Sequence, residues 1–217
     1  MTRLGGWLFR HRTIIPVPLV IAVVGLPPSD ASQPNLLIGL GIAITAIGEA
    51  IRLWAVHHIG AISRTRSDRL GPLVAAGPFA LVRNPLYLGN IALWVGFVIA
   101  GRLLWLVPIV LLLLAVEYHA IVRWEEQLLE GRFGDAYRSY VAHVPRWIPS
   151  LTLHHRGHEG HGAKVLEDSI SASSVSSVVE RLPVVEMFSW RETLFSERGT
   201  LIAMAAGYLL LWLKARS

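Results

Sequence analysis

The stretch Arg83-Asn84-Pro85-Leu86-Tyr87-Leu88-Gly89-Asn90 opens an apolar hairpin over residues 91–122, which closes on Trp124-Glu125-Glu126. Only Ala100-Gly101-Arg102 and the Glu117-Tyr118-His119 stretch interrupt it. Residues 103–128 read as one uninterrupted helix, ~39 Å long at ~1.5 Å per residue, which is longer than the ~30 Å hydrocarbon core of a bilayer. Its far end therefore emerges into water. Glu125 and Glu126 are expected there at the membrane surface, where a carboxylate stays ionised without a large desolvation cost. Because Gly101-Arg102 turns the chain back, the helix beginning near Pro85 runs antiparallel to this one and starts at the same membrane face as the Glu pair.

Proline suits the first position of a helix and asparagine is a strong N-cap, so Asn84-Pro85 reads as a helix start with exposed backbone N–H groups. Such a terminus attracts an anion, and Arg83 adds a formal positive charge beside it. One wall of the expected cleft is anion-seeking and the other is anionic. A zwitterionic ligand suits both.

The chain has 217 residues, 53% hydrophobic and only 16% charged, with a mean hydropathy of +0.49. That composition marks an integral membrane protein rather than a soluble domain. With no cysteine, disulfides, thiolate metal sites and thiol catalysis are excluded. The net charge of +5 comes largely from arginine near expected membrane ends, so it reads as topology and not as nucleic-acid binding.

Arg3, Arg10 and Arg12 precede a short apolar run over 14–26, which either starts at Trp7 with its arginines snorkelling or re-enters the membrane. After a Pro-rich turn over 27–34, residues 36–59 are long enough to span. This segment carries Glu49 and Arg52 three residues apart, read as an internal ion pair or a snorkelling arginine, and His57-His58, read as interface residues. Arg64, Arg66 and Arg69 follow, and their contrast with the turn at 27–34 puts the N-terminus, this loop and the cleft on the cytoplasmic side. Beyond Glu126 the segment to residue 140 is amphipathic, with Leu128, Leu129, Phe133, Tyr137 and Tyr140 forming an apolar stripe that lids the cleft. His154, His155, His158 and His161 lie in a glycine- and serine-rich tract that reads as a solvated linker. Residues 184–195 read as an interfacial helix, and the run over 200–213 is only marginally long enough to cross. If it crosses, Lys214 and Arg216 lie on the outer side, against the positive-inside tendency.

The blocks Gly77-Pro78-Phe79-Ala80-Leu81-Val82-Arg83-Asn84-Pro85-Leu86-Tyr87-Leu88-Gly89, Glu125-Glu126, Phe133-Gly134-Asp135-Ala136-Tyr137-Arg138-Ser139-Tyr140 and Val144-Pro145-Arg146-Trp147-Ile148-Pro149 resemble the isoprenylcysteine carboxyl methyltransferase family and the related membrane phospholipid methyltransferases. The resemblance covers about the middle third of the chain. Its usual motif is Arg-His-Pro-x-Tyr-x-Gly followed by Glu-Glu, and this chain departs from it at Asn84. An amide there still offers hydrogen bonds but carries no charge and is no base. The departure therefore bears on the acceptor more than on the cofactor.

The resemblance implies an all-α integral membrane bundle of four to five transmembrane helices, with a cofactor cleft at the cytoplasmic face formed by the C-terminal half of the core. It implies an S-adenosylmethionine-dependent methyltransferase of the plasma or inner membrane, acting on a lipid-like or isoprenyl acceptor. Arg83, Asn84, Tyr87, Leu88, Gly89, Glu125 and Glu126 would hold the cofactor. Either Glu125 or Glu126 would take its ammonium, Arg83 and the helix start its carboxylate, and Tyr87 its adenosine or sulfonium face. Glu125 and Arg146 would be the catalytic residues, Arg146 orienting an anionic headgroup. No metal, nucleic acid or protein partner is implied. The expected organisation is N-terminal membrane helices over 1–62, a methyltransferase core over 63–149, a linker over 150–183, and a closing pair of helices over 184–217. Two other classes fit parts of this pattern: a sterol-reductase-like enzyme using NADPH, and a non-catalytic membrane protein that has kept the fold.

Overall fold

The computed structural model describes residues 2–30, 32–60, 73–149 and 187–216; the linker expected over 150–183 and the arginines of 63–69 lie outside them. The described residues form seven α-helices and no strand: α1 Thr2–His11, α2 Val17–Gly25, α3 Pro34–Ile59, α4 Pro85–Ala100, α5 Val107–Phe133, α6 Asp135–His143 and α7 Trp190–Lys214. Short 3-10 turns precede α4 at Gly77–Ala80 and α5 at Leu104–Leu106.

Three stretches are long and apolar enough to cross a bilayer: Pro34–Ile59, Leu104–Phe133 and Trp190–Lys214. Helix α4 is apolar but has 16 residues, or ~24 Å. At nine residues, α2 is too short to cross at ~14 Å. Pro16 and Pro18 separate it from α1, because each removes a backbone donor and crowds the preceding turn. Helices α3, α5 and α7 present large apolar side chains outward, among them Ile47, Leu112, Leu113 and Ile202. In water such a surface would be costly; against acyl chains it is the expected one.

Helices α3 and α4 make the closest pair, and their backbones approach at glycine. A Cβ on Gly48 would lie 2.8 Å from the carbonyl oxygen of Gly89, and one on Gly89 would lie 2.7 Å from that of Gly48. Small residues at such a crossing are how membrane helices gain packing without a hydrophobic driving force. Helix α5 packs on α1 and α4 through a core containing Phe9, Val98, Leu103, Leu106, Val110, Leu114, Tyr118 and Ile121.

The structure corrects three expectations. The helix expected over 103–128 is a 3-10 turn followed by α5, which starts beside Pro108 and runs on to Phe133. The amphipathic segment beyond Glu126 is not one helix, because Gly134 takes φ 53° and splits it into the end of α5 and a separate α6. The interfacial helix and the marginal C-terminal run are one helix from Trp190 to Lys214. Its start is a capping box over Ser189-Trp190-Arg191-Glu192, a signal the hydropathy reading passed over: Ser189 Oγ accepts from the Glu192 N–H, and the Glu192 carboxylate accepts from the Ser189 N–H.

The intramembrane pair of Glu49 and Arg52 is present, and α7 joins it. Arg52 bonds Asn90 of α4 and Glu197 of α7, donates to Thr200 Oγ1 at 3.3 Å, and lies 3.3 Å from Glu49. This polar knot ties three helices together. His57 is an interface residue as expected, stacked on Trp190 at 4.3 Å and accepting the Phe188 N–H through its carbonyl oxygen.

Candidate functional site

Helix α4 begins at Pro85, where a missing N–H costs nothing, and Asn84 occupies the cap position. Its side chain does not cap the helix. The amide instead donates to the carbonyl oxygen of Arg146 at 3.0 Å, and the Arg83 N–H donates to the carbonyl oxygen of Pro145 at 2.9 Å. These two bonds clip the start of α4 to the segment after α6. The sequence reading missed them because they join backbones 62 residues apart.

The two walls expected to face a ligand separately are joined to each other. Arg83 Nη1 donates to Glu126 Oε1 at 2.9 Å; Arg146 reaches the same carboxylate through Nε at 2.9 Å and Nη2 at 2.7 Å. Glu126 is thus held by two guanidinium groups, not left in water as the helix length suggested. Arg146 is held well charged by these bonds to Glu126, which raise its pKa further. Glu125 turns the other way and accepts from the Tyr87 hydroxyl at 3.0 Å. The Tyr87 ring lies 4.8 Å from that of Tyr118.

Between these groups is a cavity of about 300 Å³. Of the residues expected to bind a cofactor, Arg83, Asn84, Tyr87, Glu125 and Glu126 line it. Leu88 and Gly89 do not. Gly89 sits on the opposite side of α4, against Gly48 and Arg52, because that is where the close helix crossing needs it. Arg146 stands behind Glu126 rather than in the lining.

Tyr137 and Tyr140 of the expected lid do line the cavity, on α6. Tyr140 donates to the carbonyl oxygen of Phe79 at 2.7 Å. Burial, reinforced by the nearby Glu126 charge, pushes the Tyr137 hydroxyl up to about 12, against an opposing pull from Arg83. Both phenols are neutral donors at ordinary pH. Residues the sequence reading did not place here are Phe9 of α1, Arg12 just after it, and Arg52, Asn90 and Glu197 of the polar knot. Arg12 had been read as topology, yet its charge acts on Glu125 and Tyr87. A motif search inside the hairpin has no access to it.

Arg52 and Asn90 also line a second, apolar cavity of about 230 Å³ between α2, α4 and α7, with Val20, Trp94, Phe97 and Met204 in its wall. The polar knot therefore stands between the polar cleft and a groove on the membrane side. Among the described residues no group of three or more His, Asp or Glu side chains is placed to hold a metal ion.

With this geometry, the matches to known proteins have a physical reading. Residues 36–136 match the family model of the phospholipid methyltransferases. That family is part of the isoprenylcysteine-methyltransferase-like superfamily of membrane methyltransferases, and the match covers the Arg83–Gly89 motif, the hairpin and the Glu125-Glu126 pair but ends before the Val144–Pro149 block. Over nearly its whole length the chain is similar to the nickel-cobalt-cadmium resistance protein NccN of Alcaligenes xylosoxydans xylosoxydans, 28% identical over 204 residues covering 88% of this chain and 91% of that one. It is also similar to the cobalt-zinc-cadmium resistance protein CzcN of Cupriavidus metallidurans, 26% identical over 185 residues, 82% of this chain and 80% of that one. No solved structure matches it significantly.

Proposed function

We propose that the chain is an S-adenosylmethionine-dependent methyltransferase that binds the cofactor in the cavity between α4, α5 and α6 and methylates a lipid-like or isoprenyl acceptor drawn from the bilayer. The observation that carries this reading is Arg83. Its Nε is buried without a hydrogen-bond partner while its Nη1 is committed to Glu126. The group also bonds Tyr137; a buried guanidinium N–H with no partner of its own, beside an uncapped helix start, is suited to a carboxylate. Glu125 lines the same cavity and suits an ammonium, so the two walls match the ends of an amino-acid moiety. At about 300 Å³ the cavity is at the small end for cofactor sites.

Bound there, S-adenosylmethionine would supply a methyl group made electrophilic by its sulfonium. The protein's part is alignment and exclusion of water, which a methyl transfer needs more than acid–base chemistry. Tyr87, fixed by Glu125 and by Tyr118, offers an aromatic face to a cation. Tyr137 and Tyr140 close the cavity from the surface. The acceptor would approach along the apolar groove between α2, α4 and α7, with its polar end at Arg52 and Asn90. We place the cleft on the cytoplasmic side, where the cofactor is made and where the arginines of the N-terminus favour retention.

The phospholipid methyltransferase match favours this reading over a nicotinamide-dependent reductase. The relatives' names connect similar chains with metal resistance, which methylation of a membrane component would serve. The test is transfer of a radiolabelled methyl group by the purified protein, in liposomes made from a bacterial lipid extract. Label in the organic phase that disappears in Glu125→Gln supports the reading; none in that phase, from a protein that binds the cofactor, refutes a lipid-like acceptor.

A further inference from the structure

The end of the bundle opposite the cleft is basic where the positive-inside tendency leads one to expect few cations. Helix α4 runs from Pro85 at the cleft to Ala100, and α7 runs from Trp190 beside His57 to Lys214, so Arg102 and Lys214 arrive together at the far end. A cavity of about 360 Å³ lies between them, α3 and α7. Ile38, Ile42, Leu211 and Trp212 give it an apolar wall; Arg102 and Lys214 are the charged residues among the described ones that line it. The same two cations line the adjoining hollow beside the 24–28 turn.

The backbone at Arg102 supplies an independent observation. Arg102 has φ 58°, the one non-glycine residue in the left-handed region among those described. Holding a long side chain there carries a strain that glycine would avoid. Three backbone bonds hold it: Arg102 N–H to Ile99 O at 2.9 Å, Leu103 N–H to Val98 O at 3.0 Å, and Ser29 N–H to Arg102 O at 3.0 Å. The turn thus fixes a guanidinium at the mouth of an apolar cavity. Opposite, the Lys214 ammonium is held in place by donating to the carbonyl oxygen of Val23 at 2.8 Å. Arg216 lies over the Trp212 ring at 3.7 Å, continuing the basic rim beside an aromatic residue.

We propose that this is a binding site for an anionic phospholipid of the leaflet opposite the cleft, separate from the acceptor groove. Its phosphate sits between Arg102 and Lys214, and an acyl chain runs along Ile38, Ile42 and Leu211. Basic pockets between membrane helices select anionic headgroups by this combination of charge and greasy wall. The lipid would clasp the C-terminal end of α7 to α3 and the α4–α5 turn.

The full chain in detergent, mixed with phosphatidylglycerol, phosphatidylcholine of the same acyl chains or inorganic phosphate, tests this by native mass spectrometry and thermal melting. The wild type should retain phosphatidylglycerol over phosphatidylcholine by roughly tenfold and melt higher with it. Arg102→Gly should fold at least as well in detergent alone, since glycine accepts φ 58°, yet lose that preference. Lys214→Met should lose it too, and Arg138→Gln, on exposed α6, should keep it. Equal retention of the two lipids, a preference that survives Arg102→Gly, or the same melting shift from inorganic phosphate alone would each overturn the proposal.

Discussion

Glu126 and Arg146 meet in a two-pronged pair, Nε to Oε1 at 2.9 Å and Nη2 to Oε2 at 2.7 Å. Only a planar guanidinium makes both bonds at once. Arg146→Lys should therefore keep the charge and still lower S-adenosylmethionine affinity about three- to tenfold, with Arg146→Gln lower again. Titration calorimetry measures both. Wild-type affinity in Arg146→Gln would remove the pair from cofactor binding.

The Tyr87 hydroxyl donates to Glu125 at 3.0 Å while its ring rests on Tyr118. Tyr87→Phe deletes the first contact and spares the second. The variant should melt close to the wild type and bind the cofactor about tenfold more weakly, because Glu125 is then free to turn away from the cavity. A loss of folding rather than of binding would show the bond to be structural.

Arg52 neutralises two carboxylates inside the bundle, Glu49 at 3.3 Å and Glu197 in close contact. Arg52→Ala would leave both without their cation, a change of about 3–5 kcal/mol in a buried setting. Glu197→Gln, which still leaves Glu49 to balance Arg52, should lose less. Melting curves in detergent order the three proteins, and an Arg52→Ala protein as stable as the wild type would contradict the knot.

Tyr137 is raised from an ordinary value of 10 to about 12 by burial, with the Glu126 charge adding to it. A raised acid holds its proton more tightly when folded, so its contribution to stability is complete below pH 10 and is lost as pH climbs to about 12. Wild-type melting temperature should fall over that window. Tyr137→Phe, with no proton to lose, should fall less steeply; identical slopes would mean that the phenol is not buried as described.

The hairpin and the placing of Arg83 and the Glu pair at one end of it were legible because they follow from one long apolar helix and one turn, and helix length fixes which ends coincide. What the sequence does not carry is who pairs with whom. Helix length puts Glu126 near water but cannot say that Arg83 and Arg146 close on it. Likewise Gly89 belongs to a motif beside the cleft, but the α3–α4 crossing claims it for packing. Arg12 and Glu197 reach the cavity from helices at the two ends of the chain, and a local pattern has no term for contacts that distant. Helix α7 was divided into two pieces by hydropathy, and the Ser189–Glu192 capping box that marks its single start went unused.

The central claim is that the cavity beside Arg83 and Glu125 is a cofactor site. Calorimetric titration of the detergent-solubilised protein with S-adenosylmethionine, its demethylated product and reduced nicotinamide dinucleotide phosphate tests it most directly. Saturable binding of the first two, weakened in Glu125→Gln and Glu126→Gln and absent for the nicotinamide, is the predicted result. Binding of the nicotinamide cofactor alone, or of none of the three to a well-folded sample, would contradict it.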